Sequence, residues 1–411
     1  MILFALVFNA CNSGSNSSTK GSATTSDETF KVTAVPSEHG SYTVDPEIPA
    51  DSMVAGGTEL KITATPADGY SLDCIYYTIK GGMWGTTSFE FFEPQKTVTV
   101  DKDMSIGATF VESSLVDNIN VTQNVEYAKP GVKPLKYDVY SPKGAKDLPC
   151  IIIIHGGGWS SNNEDIMRGL ARELTKDGRY VVFSIDYRWV NEGDGDQVPN
   201  SMHDLIDDVF GAIAHIQENA DKYGGDPTRI AVTGDSAGGH LSAAAATLCS
   251  MIGDRGFGEQ EGVYEYMPSY MPEGKTVEQV KQDITDAIQA AAPSYGVYDA
   301  ANFANFLSQT DQAYWNAVSP IKHVPNVKER AIPHFLLRGT QDMLISDEMV
   351  QSYVDVLKSA GQRAEYIQVE GVGHAFFDWK PDSRTMATFH EFGVKYADMM
   401  KEFFDSVFYK K

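Results

Sequence analysis

Ser236 sits at the centre of Gly234-Asp235-Ser236-Ala237-Gly238, after the run Ile230-Ala-Val-Thr233 and before the alanine-rich stretch Leu241 to Leu248. The first run reads as a strand and the second as a helix. A strand that turns this sharply into a helix strains its corner residue and thrusts that side chain out of the sheet edge. Glycines on either side keep Cβ atoms away from neighbouring backbone. A hydroxyl held there is rigid and accessible, as an attacking group must be. It still needs a base, a group to orient the base, and donors for the oxyanion. His374, in the glycine-flanked Glu370-Gly-Val-Gly-His-Ala-Phe376, is the candidate base. Asp342, at the end of Leu336-Leu-Arg-Gly-Thr-Gln-Asp342, is the candidate orienter and is preferred to Asp347 because it lies nearer the strand end. The donors are expected from His155-Gly156-Gly157-Gly158-Trp159, where glycines let main-chain amides face a ligand. Gly157, Gly158 and Ala237 are the expected oxyanion hole, with Trp159 and Asp235 as pocket-lining candidates. His155 reads as a brace for the glycine loop and His240 as a packed or capping residue.

These residues need elements to hold them. Cys150-Ile-Ile-Ile-Ile154 and Tyr180-Val-Val-Phe-Ser-Ile-Asp186 are continuous apolar runs, the pattern of strands buried on both faces. Leu135 to Tyr140 alternates, as an edge strand does. Helices are expected over Met167–Lys176, Met202–Tyr223 and Met349–Gly361, and over Arg384–Phe408 with its stripe Phe389, Phe392, Tyr396, Met400, Phe403 and Phe404. Two further strands, from Ile332 and from Ala364, precede Asp342 and His374. Strands alternating with helices imply a mostly parallel sheet covered on both sides. Residues 251–281, rich in Gly, Tyr, Met and Pro, fit no such alternation and read either as a lid or as a loop packed on its own aromatics.

The N-terminal part is different in kind. Residues 1–11 are nearly all apolar up to Cys11, Asn9 excepted, and too short to span a bilayer, which takes ~20 residues. This stretch and the Ser/Asn/Gly-rich linker 12–28 resemble the processing site and tether of a bacterial lipoprotein, which implies lipidation at Cys11. A plain secretory signal is the other reading. Between residues 29 and 112, short alternating strands broken by Gly, Pro and Asp mark a small antiparallel β domain. Gly40-Ser-Tyr-Thr-Val44, Ala64-Thr-Pro-Ala-Asp-Gly-Tyr70 and Val100-Asp-Lys-Asp-Met104 resemble the internalin-type B-repeat of bacterial surface proteins, which implies a stalk. No cluster of carboxylates or histidines stands out there, and no chemistry is assigned to it.

The chain has 411 residues, more than one ordinary core needs, and Lys and Arg total 33 against 56 Asp and Glu. The resulting net charge of −23 argues against a nucleic-acid partner, because phosphates are bound through clustered cations. There is no phosphate-binding or dinucleotide fingerprint and no metal-ligand spacing, so neither a cofactor nor a metal is expected.

His155-Gly-Gly-Gly-Trp159, Gly234-Asp-Ser-Ala-Gly-Gly239, Ser319-Pro-Ile-Lys-His-Val324 and Gly373-His-Ala-Phe376 resemble the hormone-sensitive-lipase-type esterases of the α/β-hydrolase fold, on the feruloyl and acetyl-xylan esterase side. The chain order Ser, Asp, His also suits that fold. The resemblance runs from about Val121 onward and implies a catalytic domain over 113–411. It implies Ser236 as nucleophile, His374 as base and Asp342 as its partner, acting on a small-molecule or polysaccharide ester. A carbohydrate esterase is the nearer alternative, and an adhesion protein on an inactive hydrolase scaffold the more distant one. In either enzyme the rate falls as pH drops through the ordinary imidazole range, ~6.5, because a protonated base cannot accept the serine proton. A pH–rate profile checks this; a flat rate down to about pH 4 contradicts a histidine base.

Overall fold

The structure is a computed structural model that describes residues 28–81, 85–193, 198–256, 265–303 and 311–409. Cys11, with the expected signal segment and all but the end of the expected linker, lies outside these residues. No helix among those described is long and apolar enough to cross a membrane.

Eight strands build the small domain: β1 (Thr29–Ala34), β2 (Gly40–Asp45), β3 (Met53–Ala55), β4 (Glu59–Pro66), β5 (Tyr70–Lys80), β6 (Thr86–Phe91), β7 (Gln95–Thr99) and β8 (Met104–Glu112). They form a sheet of order β3-β1-β8-β5-β6 and a second of order β2-β4-β7. Alternation sends Val32, Leu60, Ile62, Ile75, Val98 and Ile106 into one shared core. The domain is not wholly antiparallel as expected: β1 and β8 run parallel, with Val32 opposite Met104.

The larger part of the chain is built on one eight-stranded sheet. Its strands are β9 (Ile119–Ala128), β10 (Leu135–Pro142), β11 (Leu148–Ile154), β12 (Val181–Ile185), β13 (Gly225–Asp235), β14 (Ile288–Ser294), β15 (His334–Gly339) and β16 (Ala364–Val369). The order is β9-β10-β12-β11-β13-β14-β15-β16, antiparallel through β9, β10 and β12 and parallel from β12 onward. Ile151 to Ile154 are fully buried, each worth roughly 1.5–3 kcal/mol of transfer free energy. Helices α1 (Arg168–Thr175), α2 (Met202–Asn219) and α3 (Ala237–Leu248) pack on this sheet.

Two expectations are corrected, and one strand is added. The segment Leu135–Pro142 is not an edge strand: β9 covers it, and all but one of its residues are buried. The final helix is divided into Ser383–Thr388 and Val394–Phe408 by a π turn over Phe389–Gly393, where a Cβ on Gly393 would lie 2.6 Å from the Phe389 ring. Strand β14 went unread because Ala290-Ala-Ala292 carries helical propensity. Packing overrides that propensity, since α3 crosses so closely that a Cβ on Gly239 would meet the Ser294 carbonyl at 2.5 Å.

The two domains are joined by buried charge. A bulge in β5 between Leu72 and Cys74 turns Asp73 out of the ladder register. Its carboxylate accepts from Arg168 Nε (2.9 Å) and Nη2 (2.9 Å), Arg172 Nη2 (2.6 Å), Thr109 Oγ1 (3.0 Å) and Trp379 Nε1 (3.0 Å). Burial alone would raise the Asp73 pKa, but Arg168 and Arg172 outweigh it and hold the carboxyl well below the usual range. Glu90 shares the Arg168 guanidinium at 2.6 Å, yet burial pushes it up to about 7. No local pattern in the sequence marks Asp73 or Glu90, whose partners Arg168 and Arg172 lie far along the chain. Asp73→Ala takes the shared carboxylate from two guanidiniums, leaving Arg168 to Glu90, and breaking a buried pair costs about 3–5 kcal/mol. Chemical unfolding measures that loss; a change under about 1 kcal/mol means the network is solvated.

Candidate active site

Strand β13 delivers Ser236 and α3 carries the chain away. Between them Ser236 adopts φ 53° and ψ −115°, a conformation costly for a residue with a Cβ. The surroundings enforce it. A Cβ on Gly234 would meet the Ile154 carbonyl at 2.4 Å, and one on Gly238 would meet the same oxygen at 1.9 Å. The backbone also grips the corner, with Ser236 N–H donating to the Ser294 carbonyl at 3.0 Å and His240 N–H to the Ser236 carbonyl at 3.1 Å.

The structure brings the three separated candidates together. Ser236 Oγ lies 2.8 Å from His374 Nε2, and His374 Nδ1 lies 2.7 Å from Asp342 Oδ2. With Asp342 ionised, Nδ1 carries the proton and Nε2 is left to accept from the serine hydroxyl. Asp342 Oδ1 accepts from the amides of Leu344 (2.8 Å) and Ile345 (2.9 Å). Burial would raise its pKa, but the bond from His374 and these two amides lower it below the ordinary carboxylate value. The rival Asp347 instead takes Tyr366 and Gln368, at 2.7 Å and 2.8 Å.

The glycine loop is oriented through its carbonyls. Gly156 O accepts from His155 Nδ1 (2.7 Å) and Asn162 Nδ2 (3.2 Å), while Gly157 O accepts from Ser161 Oγ (2.7 Å) and Ser160 N (3.2 Å). In a trans peptide the N–H points opposite to the carbonyl, so the amides of Gly157 and Gly158 are turned away from these anchors. Gly157 has φ 126° and Gly158 φ 60°, both in the region that favours glycine. Ala237, as the first residue of α3, presents an N–H that has no partner within the helix. His155 stacks on Tyr187 at 4.3 Å and braces the loop as expected.

Trp159 and Asp235 are corrected: their side chains face inward, at 4% and 1% exposure, and do not form a pocket wall. Trp159 Nε1 donates to His240 Nδ1 at 3.2 Å, and His240 Nε2 donates to the Val318 carbonyl at 2.7 Å. Burial pushes His240 down to about 4, so it stays neutral. Asp235 Oδ1 accepts from Gly156 N–H at 2.7 Å and so sets the start of the glycine loop. Its Oδ2 is buried without a donor, and burial together with the facing Asp378 carboxyl raises its pKa well above the usual range.

Two supports of that loop went unread in the sequence. Tyr295 packs edge-on to His374 at 4.9 Å, and its hydroxyl accepts from Phe377 N–H at 3.2 Å. Trp379 donates through its ring nitrogen to Asp73 and through its amide to the Ile166 carbonyl at 2.9 Å. Tyr295 follows β14, the strand the sequence concealed. The described part of residues 251–281 packs against α2, with Met267 N–H donating to Asp207 Oδ1 at 2.9 Å and Ser269 N–H to the Asp207 carbonyl at 3.0 Å. Gly238→Ala is expected to displace the turn against Ile154. Ester turnover should fall at least ~100-fold, since a misplaced attacking group costs this much. Steady-state kinetics reads the effect, and near-normal turnover contradicts the steric account.

Comparisons with known proteins fit this geometry. The BD-FAE family model matches residues 137–357. The chain is 40% identical over 124 residues to carboxylesterase NlhH of Mycobacterium tuberculosis, an overlap of 30% of this chain and 37% of that protein. It is 29% identical over 263 residues to esterase LipC of the same organism, covering 60% of this chain and 57% of that one. The chain thus spans between about a quarter and somewhat over half of the curated relatives it matches. Among solved structures, a truncated carbohydrate esterase from gut microbiota superposes with TM-score 0.53 at 25% identity, covering 71% of this chain and 97% of that one.

Proposed function

The chain belongs to the BD-FAE family, and on that premise we propose that it is a serine hydrolase of carboxylic esters. The observation that carries this reading is the continuous relay from Ser236 Oγ through His374 to Asp342, at 2.8 Å and 2.7 Å. His374 takes the hydroxyl proton as Ser236 attacks the acyl carbon. Asp342 balances the imidazolium, and the amides of Gly157, Gly158 and Ala237 receive the oxyanion. The imidazolium then protonates the leaving alcohol. Water attacks the acyl-enzyme by the same steps and releases the acid. Relatives named as carboxylesterases support the same class of reaction. Short acyl groups are the substrates we favour. We also keep the extracytoplasmic, lipid-tethered location expected from residues 1–11 as part of the proposal.

A carbohydrate ester is the second reading, favoured by the likeness to a carbohydrate esterase noted above. The distant alternative, an inactive scaffold, is disfavoured by a relay in which both bonds are made. A fluorophosphonate probe should label the wild-type chain at Ser236 and leave Ser236→Ala unlabelled. Removing one member of such a triad leaves only about 10³- to 10⁴-fold catalysis over water, so p-nitrophenyl acetate turnover should collapse in that variant. Labelling elsewhere, or unchanged turnover in Ser236→Ala, sinks the assignment.

A further inference from the structure

The loop that carries the expected oxyanion amides passes through three successive residues of positive φ: Gly157 (126°), Gly158 (60°) and Trp159 (59°). Glycine adopts that region freely. A bulky residue there costs roughly 1–3 kcal/mol and persists only where its surroundings hold it. Released at Trp159, the loop would relax and carry the Gly158 amide with it. Whatever holds Trp159 therefore bears on where the amides point.

Two bonds hold it. The Trp159 carbonyl accepts from Val190 N–H at 2.8 Å, and the indole N–H donates to His240 Nδ1 at 3.2 Å. An indole nitrogen can only donate, so Nδ1 must be the unprotonated nitrogen of that imidazole. Nε2 then carries the proton and donates it to the Val318 carbonyl at 2.7 Å. The two partners select one neutral tautomer, because a second proton would set Nδ1–H against the indole N–H. With both nitrogens engaged and only 1% of the residue exposed, His240 is not placed to meet a substrate.

His240 is also tied to the attacking residue. It lies one helical turn beyond Ser236, and its amide donates to the Ser236 carbonyl at 3.1 Å. Helix α3 is pressed on β14 at this point, where a Cβ on Gly239 would lie 2.5 Å from the Ser294 carbonyl. At the other end of the loop, Asp235 Oδ1 accepts from Gly156 N–H at 2.7 Å. The residue before Ser236 thus grips the start of the glycine loop, and the residue four places after it grips the end.

We propose that His240 and Trp159 are positioning residues for the oxyanion hole: the imidazole holds the indole and so sets the Gly157 and Gly158 amides against Ser236 Oγ. Neither side chain touches the substrate. The loop and the attacking hydroxyl are registered to each other through α3. The proposal rests on the ester-hydrolase reading, since it gives these residues a part in that reaction.

The test compares p-nitrophenyl acetate with p-nitrophenyl thionoacetate, in which sulfur replaces the carbonyl oxygen. Sulfur accepts hydrogen bonds weakly, so a displaced oxyanion hole costs the thionoester less. His240→Leu should lower kcat and kcat/KM for the oxygen ester together by about 30-fold, as loss of an interaction made only in the transition state does. The ratio of kcat/KM for oxygen ester over thionoester should fall about 10-fold. Trp159→Phe, which keeps a buried ring and removes the N–H, should lower that ratio in the same way. His240→Gln should hold the ratio within about 2-fold of wild type, because Oε1 can accept from the indole while Nε2 donates to Val318. The ratio does not depend on what fraction of each variant folds. An unchanged ratio in both His240→Leu and Trp159→Phe overturns the proposal, as does a fall in His240→Gln as large as in His240→Leu. A wild-type chain that cleaves neither ester and escapes the fluorophosphonate probe sinks the hydrolase reading, and this proposal with it.

Discussion

The whole arrangement depends on one steric constraint: there is no room for side chains where α3 passes the carbonyl of Ile154. Gly234 and Gly238 both face that oxygen at distances no Cβ tolerates. The turn between them is therefore the tightest that β13 and α3 can make. Ser236 must accept a backbone conformation that would be costly in isolation, and the buried sheet stabilises it there. The strain has a use, because it leaves the hydroxyl pointing at the loop that carries His374.

From that turn the site is held by links that each connect two loops. Asp235, the residue before Ser236, fixes the Gly156 amide. The Ser236 turn and the glycine loop are thereby coupled through one buried carboxyl group. Tyr295 supports the imidazole from β14, and Trp379 extends the chain of contacts to Asp73 in the small domain. The β domain is consequently bonded, through the Trp379 ring N–H and the buried Asp73 carboxylate, to the segment that follows His374. A bulge in β5 makes this possible by turning a single carboxylate toward α1.

How much of this was legible in the sequence follows from the range of the forces involved. The elbow, the glycine loop, Asp342 and His374 are local patterns, in which a strand end and a few glycines fix where a side chain must go. The apolar runs of β11 and β12 likewise announce strands buried on both faces. Tertiary context decided the rest. Ala290 to Ala292 become a strand only because α3 needs a flat neighbour, and Leu135 to Pro142 lose their edge position only because β9 pairs outside them. Asp235 and Trp159 sit beside catalytic motifs, yet they point into the protein, which no spacing rule discloses. Asp73 and Arg168 are far apart in sequence, and neither carries a local sign of its partner.

The central claim is that Ser236 becomes acylated during turnover. Acid-quenched p-nitrophenyl acetate reactions, followed by peptide mass spectrometry and by the pre-steady-state release of nitrophenol, test it directly. The account predicts an acetyl group on the peptide bearing Ser236 and a burst that approaches one nitrophenol per chain when deacylation limits the rate. Steady hydrolysis with no burst and an unmodified Ser236, under conditions where the acyl-enzyme must accumulate, would contradict it.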